Sequence, residues 1–273
     1  MTVTTHQPYH RPEHWDTVHA RVGAGPRSRA ALALHAAASA VLADRPGSGV
    51  LDVACGNGAF LRALPDRPVR IGVDLSARGL DAASRAPGAE RCHWLRADAA
   101  RLPLDDGSVD AAVCLSTLWV LADPARVLVE LARVIRSRGL LVVHLWGRPQ
   151  ACRLLSLGAA VIGRVLPEMR RPEGVTGPFD LTREDVAAWA GAAGFVQTNW
   201  DVHDHWTQVD SLADYWAEFA ALAPTSYATY RGASASDRRT VDALLHEFIP
   251  RAQDRGGRQA LQLTWQLATL LRG

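Results

Sequence analysis

One stretch, residues 49–60, constrains the fold of this chain more than any other. It reads GVLDVACGNGAF, an apolar, β-branched run followed by two closely spaced glycines and then by apolar residues at helical spacing. Such a run is typical of a strand buried inside a parallel sheet. Gly56 and Gly58 allow the following turn to approach a ligand closely, because neither carries a Cβ. The stretch therefore predicts a strand, a glycine turn and a helix N-terminus, which is a nucleotide-binding layout.

The residues around the turn indicate which nucleotide it can hold. A dinucleotide fingerprint has a third glycine where this chain has Leu61, and a phosphate loop needs a lysine, of which the chain has none. Asp52 stands beside the turn, where a carboxylate would repel a pyrophosphate but attract a positively charged ligand. S-adenosylmethionine is a sulfonium with an α-ammonium group and no phosphate, so it meets that requirement. An ordinary tight turn in a buried sheet is the alternative for this stretch taken alone.

Two further predicted strands lead to acidic residues at the same edge of the sheet. Residues 69–74 form an apolar run that ends in Asp74, which follows Asp52 by 22 residues. At that spacing a carboxylate meets a ribose and accepts hydrogen bonds from its hydroxyls. Residues 91–96 lead to Asp98, which can accept from an adenine amino group. Each acid alone could be a helix cap or a solvated loop residue, but three in successive units favour one nucleotide pocket.

The rest of the chain continues this alternation of strands and helices. Further strands are predicted at residues 109–115, 140–146, 195–206 and 259–268. Further helices are predicted at residues 11–24, 27–43, 77–84, 123–139, 154–166, 182–194, 210–223 and 237–250, with loops at 223–224 and 232–236. We predict an N-terminal helical lid over residues 1–45, for which a helix docked on the core is the alternative. Residues 46–273 then form the main domain, with cap segments at 148–178 and 207–256.

Residues 49–146 resemble the core of the class I S-adenosylmethionine-dependent methyltransferases, in the broad subgroup that acts on small molecules. Five ordered motifs carry the resemblance: LDVACGNG at 51–58, GVDLS at 72–76, ADA at 97–99, LPLDDGSVD at 102–110 and RVIRSRGLL at 133–141. The chain departs from the family at Ala54, where glycine is common, and at Ser137-Arg138-Gly139, where a proline-glycine turn is common.

The resemblance implies an α/β fold: a Rossmann-like, seven-stranded, mostly parallel sheet with helices on both faces. It also implies that S-adenosylmethionine lies across the carboxyl ends of the first strands. The residues that would hold its methionine part are Asp52, Ala54, Gly56 and Gly58. Asp74 would hold the ribose, Asp98 the adenine amine, and Leu75 and Ala99 the adenine faces, with Ser116 near the transferable methyl.

The predicted function is methyl transfer to an O, N or C atom of a small molecule such as a secondary metabolite, with S-adenosylhomocysteine as the product. The sulfonium is intrinsically reactive, so positioning matters more than a strong base. His144 and His203 are candidates to act on the acceptor, as is His205, which lies on the same strand face as His203. The alternative is that these histidines have only a structural role. Trp15, Trp119 and Trp146 are predicted to line the acceptor pocket, with core packing as the alternative. A non-methylating reaction such as cyclisation, or a non-catalytic partner-binding role, stays open.

Composition and charge exclude several other classes. A net charge of +2 and scattered arginines do not indicate a nucleic-acid partner. The four cysteines have no close pairing, so small buried thiols are expected, with neither a disulfide framework nor a metal site. The polar N-terminus lacks a signal-peptide core, and no apolar run reaches the roughly 18 residues of a membrane span. We therefore expect a cytoplasmic protein, either a monomer or a homodimer.

Overall fold

The structure, a computed structural model, describes residues 8–23, 28–43, 49–65, 68–167, 176–254 and 260–273. Its strands are β1 (Gly49–Val53), β2 (Val69–Asp74), β3 (His93–Arg96), β4 (Val109–Cys114), β5 (Ile135–Trp146), β6 (Phe195–Thr207) and β7 (Leu261–Arg272). They form one seven-stranded sheet in the order β3-β2-β1-β4-β5-β7-β6. Strands β1 to β5 pair in parallel, whereas β7 is antiparallel to both of its neighbours. The predicted α/β fold is confirmed.

Helices cover both faces of this sheet. They are α1 (Pro12–Val22), α2 (Arg29–Ala43), α3 (Ala59–Ala63), α4 (Ala77–Arg85), α5 (Pro124–Val134), α6 (Arg153–Val165), α7 (Arg183–Ala192), α8 (Leu212–Leu222), α9 (Pro224–Gly232) and α10 (Ala235–Asp254). Helices α2, α3, α6, α8 and α10 contribute to one apolar core, and α5 and α7 contribute to a second. No helix in the described ranges has both the length and the apolar character to cross a membrane.

Several predicted boundaries differ from the structure. Helix α5 ends at Val134 and β5 begins at once, while the backbone turns at Arg138, whose φ is +63°. The loop expected at 223–224 opens helix α9, because a proline at the first helical position loses no hydrogen bond there. The last strand extends to Arg272, and the expected start at residue 259 lies outside the described residues.

The predicted lid and cap regions contain helices within the described ranges. Helix α1 packs against α4 and α9, and α2 packs against α8. Helix α6 occupies the first cap region, of which residues 168–175 lie outside the described ranges. The four cysteines are unpaired; Cys114 and Cys152 are buried as expected, whereas the other two are half-buried.

Glu218 of α8 connects the second cap region to the N-terminal helices. Its buried carboxylate accepts hydrogen bonds from Ser28 Oγ at 2.5 Å and from the backbone N–H of Ala30 at 3.1 Å. The other oxygen accepts from the backbone N–H of Arg29 at 3.0 Å and from its guanidinium Nε at 3.2 Å. The N-terminus of α2 is thus capped by a side chain from a distant part of the chain.

We expect Glu218→Ala to lower the free energy of unfolding by about 2 kcal/mol, because it leaves several buried donors without an acceptor. Urea denaturation followed by circular dichroism measures this change. Glu247→Ala on α10 is the matched control: that carboxylate is exposed and pairs with Arg251, so its loss should cost less than about 0.5 kcal/mol. Equal losses in the two variants would contradict the capping role.

Candidate cofactor and acceptor site

The glycine turn between β1 and α3 forms as predicted. Ala54, Gly56 and Gly58 have φ values of +56°, +53° and +69°, so the chain reverses within a few residues. The N–H of Cys55 donates to the carbonyl of Val73 at 3.0 Å, which ties the turn to β2. Left-handed backbone is costly for a residue with a Cβ, and such strain is concentrated at functional sites. Ala54, which has a Cβ, adopts this left-handed conformation directly beside the site.

Asp52 lies at the end of β1 with its side chain buried. Its relative exposure is 4%, and among the described residues it has neither a hydrogen-bond donor nor a cation as partner. Burial raises the pKa of Asp52 well above its ordinary value, and the neighbouring Asp74 raises it further. A buried carboxylate in this state needs either a proton or a cationic ligand. The site therefore fits a ligand that brings an ammonium or sulfonium group.

Asp74 is held by the backbone at the end of β2. One carboxylate oxygen accepts from the N–H of Gly56 and the other from the N–H of Ser76, both at 2.8 Å. Burial raises the pKa of Asp74, and these hydrogen bonds act in the opposite direction. Each oxygen can accept a second hydrogen bond, so the carboxylate is placed to receive the hydroxyls of a ribose.

Two adjoining cavities, of about 450 and 240 Å³, lie along the carboxyl ends of β1, β2 and β4. The larger one is lined by Asp52, Ala54, Gly56, Ser116, Trp15, Trp119 and Trp146 among others. The smaller one is lined by Ala54, Asp74, Leu75, Asp98, Ala99, Ser116 and Trp15 among others. Thus all predicted cofactor and pocket residues line these cavities except Gly58, which is buried at the start of α3.

Asp98 is the most exposed of the three predicted acids. One of its oxygens accepts from the N–H of Ala100 at 2.9 Å, and the side chain borders the smaller cavity. This hydrogen bond leaves the second oxygen able to accept from an amino group.

The two predicted catalytic histidines do not reach the cavities. His144 is fully buried, and its Nδ1 accepts from the N–H of Ser116 at 3.1 Å. Burial lowers the pKa of His144 to about 3, with a contribution from His35. His144 therefore holds the backbone of Ser116, whose φ is +56°, and does not face an acceptor in either cavity.

His203 lies on the edge strand β6 and stacks on Trp265, with ring centroids 5.8 Å apart. His205 contacts the same tryptophan. Neither borders either cavity, because β6 is separated from β1 by three strands of the sheet. The geometry therefore does not support the predicted role of His203 at the acceptor.

Sequence reasoning did not assign roles to several residues on α1. Asp16 accepts from Ser76 Oγ at 2.7 Å and from the N–H of Arg78 at 3.0 Å, which fixes α1 on the start of α4. The ring of His19 lies so close to the turn that a Cβ on Gly56 would be 3.5 Å from its Cε1. The four-residue spacing of Trp15 and His19 was the available signal, whereas nothing in the sequence pointed to Asp16. Helix α1 thus lies directly over the glycine turn.

The fold and the acid-lined turn define a Rossmann-like domain with acid-lined cavities at the carboxyl ends of its strands. A family model described as a methyltransferase domain matches residues 51–143. Residues 51–143 are thus similar to methyltransferase domains, in agreement with the resemblance to the class I S-adenosylmethionine-dependent methyltransferases.

Curated relatives agree with this assignment. Over 140 residues the chain is 34% identical to the malonyl-[acyl-carrier protein] O-methyltransferase of Serratia marcescens, covering 46% of this chain and 53% of that protein. Over 160 residues it is 32% identical to the demethylmenaquinone methyltransferase of Deinococcus radiodurans, covering 56% of this chain and 66% of that protein. The chain thus spans less than two thirds of the length of either relative.

Solved structures share the fold over most of the chain. YcgJ from Bacillus subtilis matches with a TM-score of 0.57 and 19% identity, covering 87% of this chain and 97% of that one. The [4+2]-cyclase SpnF matches with a TM-score of 0.54 and 22% identity, covering 86% and 80%. At these identities the comparison concerns the fold alone.

Proposed function

We propose that this protein transfers a methyl group from S-adenosylmethionine to a small-molecule acceptor. The observation that carries the proposal is Asp52, a buried carboxylate without a partner among the described residues, at the wall of the larger cavity. When bound, S-adenosylmethionine supplies an electrophilic methyl group and two cationic centres. Those centres supply the counter-charge that Asp52 lacks among the described residues.

In this proposal, the residues around the two cavities bind different parts of S-adenosylmethionine. Asp52 and the turn at Gly56 bind the α-ammonium end, and Asp74 binds the ribose hydroxyls. Asp98 accepts from the adenine amine, while Leu75 and Ala99 pack on its faces. Ser116, which borders both cavities, lies beside the transferable methyl. Helix α1, with Trp15, covers the site and excludes water, which favours direct transfer over hydrolysis.

The larger cavity supplies the acceptor pocket. Trp119 and Trp146 line it with ring centroids 6.4 Å apart, and Phe60 and Leu155 add apolar wall. A pocket of this kind fits a hydrophobic small molecule. The relative named above as acting on demethylmenaquinone supports a small-molecule acceptor of this general kind.

Calorimetry with S-adenosylmethionine followed by an acceptor screen with the labelled methyl donor tests this function. Formation of S-adenosylhomocysteine in equal amount to methylated product supports methyl transfer. Intact donor after acceptor turnover would instead indicate a non-methylating reaction, with which the fold is compatible, as the name of the cyclase SpnF indicates. Absence of donor binding would favour a partner-binding role.

We expect Asp74→Ala to weaken donor binding by about 1–3 kcal/mol, because the ribose hydroxyls lose their acceptor. Calorimetric titration with S-adenosylmethionine measures this loss. Asp98→Ala provides the comparison: its carboxylate is exposed, so the loss should be smaller. An unchanged affinity in Asp74→Ala would count against the assignment of the ribose site.

A further inference from the structure

His35 of α2 is an ionisable residue in the wall of the larger cavity to which the proposed function gives no role. Its ring lies edge-on to Phe60, with centroids 5.5 Å apart. Among the described residues it has no hydrogen-bond partner. A half-buried imidazole that faces a cavity and lacks a partner is free to exchange a proton with whatever the cavity holds.

The position of His35 relates it to the place where the methyl group would be presented. Phe60 follows the glycine turn directly, so His35 borders the cavity close to that turn. His35 is also near enough to His144 to lower the pKa of that residue, and His144 holds Ser116. Because Ser116 borders both cavities, His35 lies near their junction.

The wall around His35 indicates the chemistry of the acceptor. It includes the aromatic side chains of Phe60, Trp119, Trp146 and Phe179. Its charged side chains are Asp52, assigned above to the donor, and Arg62, whose guanidinium donates to the carbonyl of Asn57. An uncharged aromatic molecule fits this lining, since no unengaged charge of the described wall faces the acceptor.

We infer that His35 is the general base of the reaction proposed above, and that it takes its proton from the hydroxyl of an uncharged aromatic acceptor. The inference rests on that proposed function. A lone pair of the acceptor oxygen forms the new O–C bond while the C–S bond breaks and leaves its electron pair on sulfur. The O–H proton moves to a ring nitrogen of His35 and then to solvent, so charge and atoms balance.

The protonation state of His35 suits this step. Burial lowers its pKa to about 4, so the imidazole is neutral at pH 6–9 and available to accept a proton. A weak base suffices, because the O–H becomes strongly acidic as the O–C bond forms. The ionisable and charged groups on elements packed against α2, or facing the same cavity, are Tyr9, His19, Asp52, Cys55, Arg62, Arg136, Arg138, His144, Asp201, His203, Asp204, His205, Asp214, Tyr215, Glu218 and Arg272.

Methyl transfer to 1-naphthol and to 1-naphthalenethiol tests the inference. The thiol ionises without help near neutral pH, whereas the naphthol needs a base. With His35→Gln we expect the rate with naphthol to fall by about 100-fold or more, and the rate with the thiol to stay within about threefold of wild type. His246→Gln, the same substitution at an exposed position on α10, should change neither rate.

The pH profile gives a readout that a structural role would not affect. The wild-type rate with naphthol should be level from pH 6 to 9. In His35→Gln it should rise about tenfold per pH unit, because the variant depends on naphthol that has already ionised. Independently of activity, the protein without donor should bind 1-naphthol about fivefold more tightly than 1-methoxynaphthalene, and His35→Leu should lose that preference.

Several outcomes would overturn the inference. These are equal losses with both probes, wild-type rates with naphthol in His35→Gln, or loss of the fold in both His35 variants. A wild-type protein that methylates the thiol but not the naphthol would also overturn it while leaving methyl transfer intact. Wild-type protein that binds the donor but methylates neither probe overturns the acceptor assignment. Failure of the proposed function itself would be recognised separately, by the absence of donor binding in calorimetry.

Discussion

Asp52→Asn is expected to make the protein more stable without donor and far less able to bind it. Ionising a buried carboxylate that has no counter-ion costs free energy, and asparagine removes that cost while keeping the shape. We expect the free energy of unfolding at pH 8 to rise by about 1 kcal/mol, or about 2–4 °C in Tm. Donor affinity should fall by about 2–4 kcal/mol, or about 30- to 700-fold, because the cation loses its partner.

The sign of the pH dependence follows from the direction of the pKa shift. Burial and Asp74 raise the pKa of Asp52 in the folded state above its unfolded value near 3.9. The stability that this group contributes is therefore fully present below about pH 4 and is lost as the pH rises through the folded pKa. Wild type and Asp52→Asn should differ little at pH 4 and progressively more toward pH 8.

Thermal unfolding across this pH range and calorimetry with S-adenosylmethionine measure the two effects. Asp105→Asn removes an exposed carboxylate and should alter neither stability nor affinity. Saturating donor should raise the Tm of wild type and of Asp105→Asn. It should raise the Tm of Asp52→Asn much less. Wild-type donor affinity in Asp52→Asn would refute the electrostatic basis of the site.

Gly58→Ala should lower the free energy of unfolding by about 3 kcal/mol. Gly58 has a φ of +69°, and a Cβ there would collide with Cη2 of Trp94 and stand 3.2 Å from Cβ of Ala83. The left-handed backbone accounts for about 1–2 kcal/mol of the loss and the collision for about 1–3 kcal/mol. Urea denaturation measures the sum.

Gly191→Ala is the matched control for this substitution. Gly191 lies in α7, and a Cβ added there would meet no atom of the described residues within 4 Å, so alanine should stabilise the protein by about 0.5 kcal/mol. Trp94→Leu in the Gly58→Ala background should recover part of the loss, because it relieves the collision but not the backbone strain. Wild-type stability in Gly58→Ala would contradict the close packing of the turn.

Local sequence signals predicted the first strands and their caps well. Strand β2 runs over the residues expected, Val69–Asp74, and Ser76 caps α4 through a hydrogen bond to the N–H of Gly79. Thr182 and Asp185 form the expected capping box of α7. These features are recognisable because hydrophobic period and capping chemistry act within a few residues of the chain.

Signals of the same kind do not reveal which histidines border the cavities. His144 was singled out because it lies near a strand end, but the fold turns its ring toward Ser116 in the core. His35 occupies an alanine-rich helix with no motif around it, yet the packing of α2 brings it to the cavity wall. Which face of an element borders a cavity depends on partners far away in the chain.

The sequence alone determined the order of strands and helices, the glycine turn and the acids at its rim, since each follows from the spacing of neighbouring residues. Only the tertiary structure decided that Asp52 has no counter-charge among the described residues, that α1 covers the turn and that Glu218 caps α2. Those facts depend on burial and on contacts between segments up to 190 residues apart. The physical reason is that desolvation and long-range hydrogen bonding arise when the segments pack together, and local spacing does not encode them.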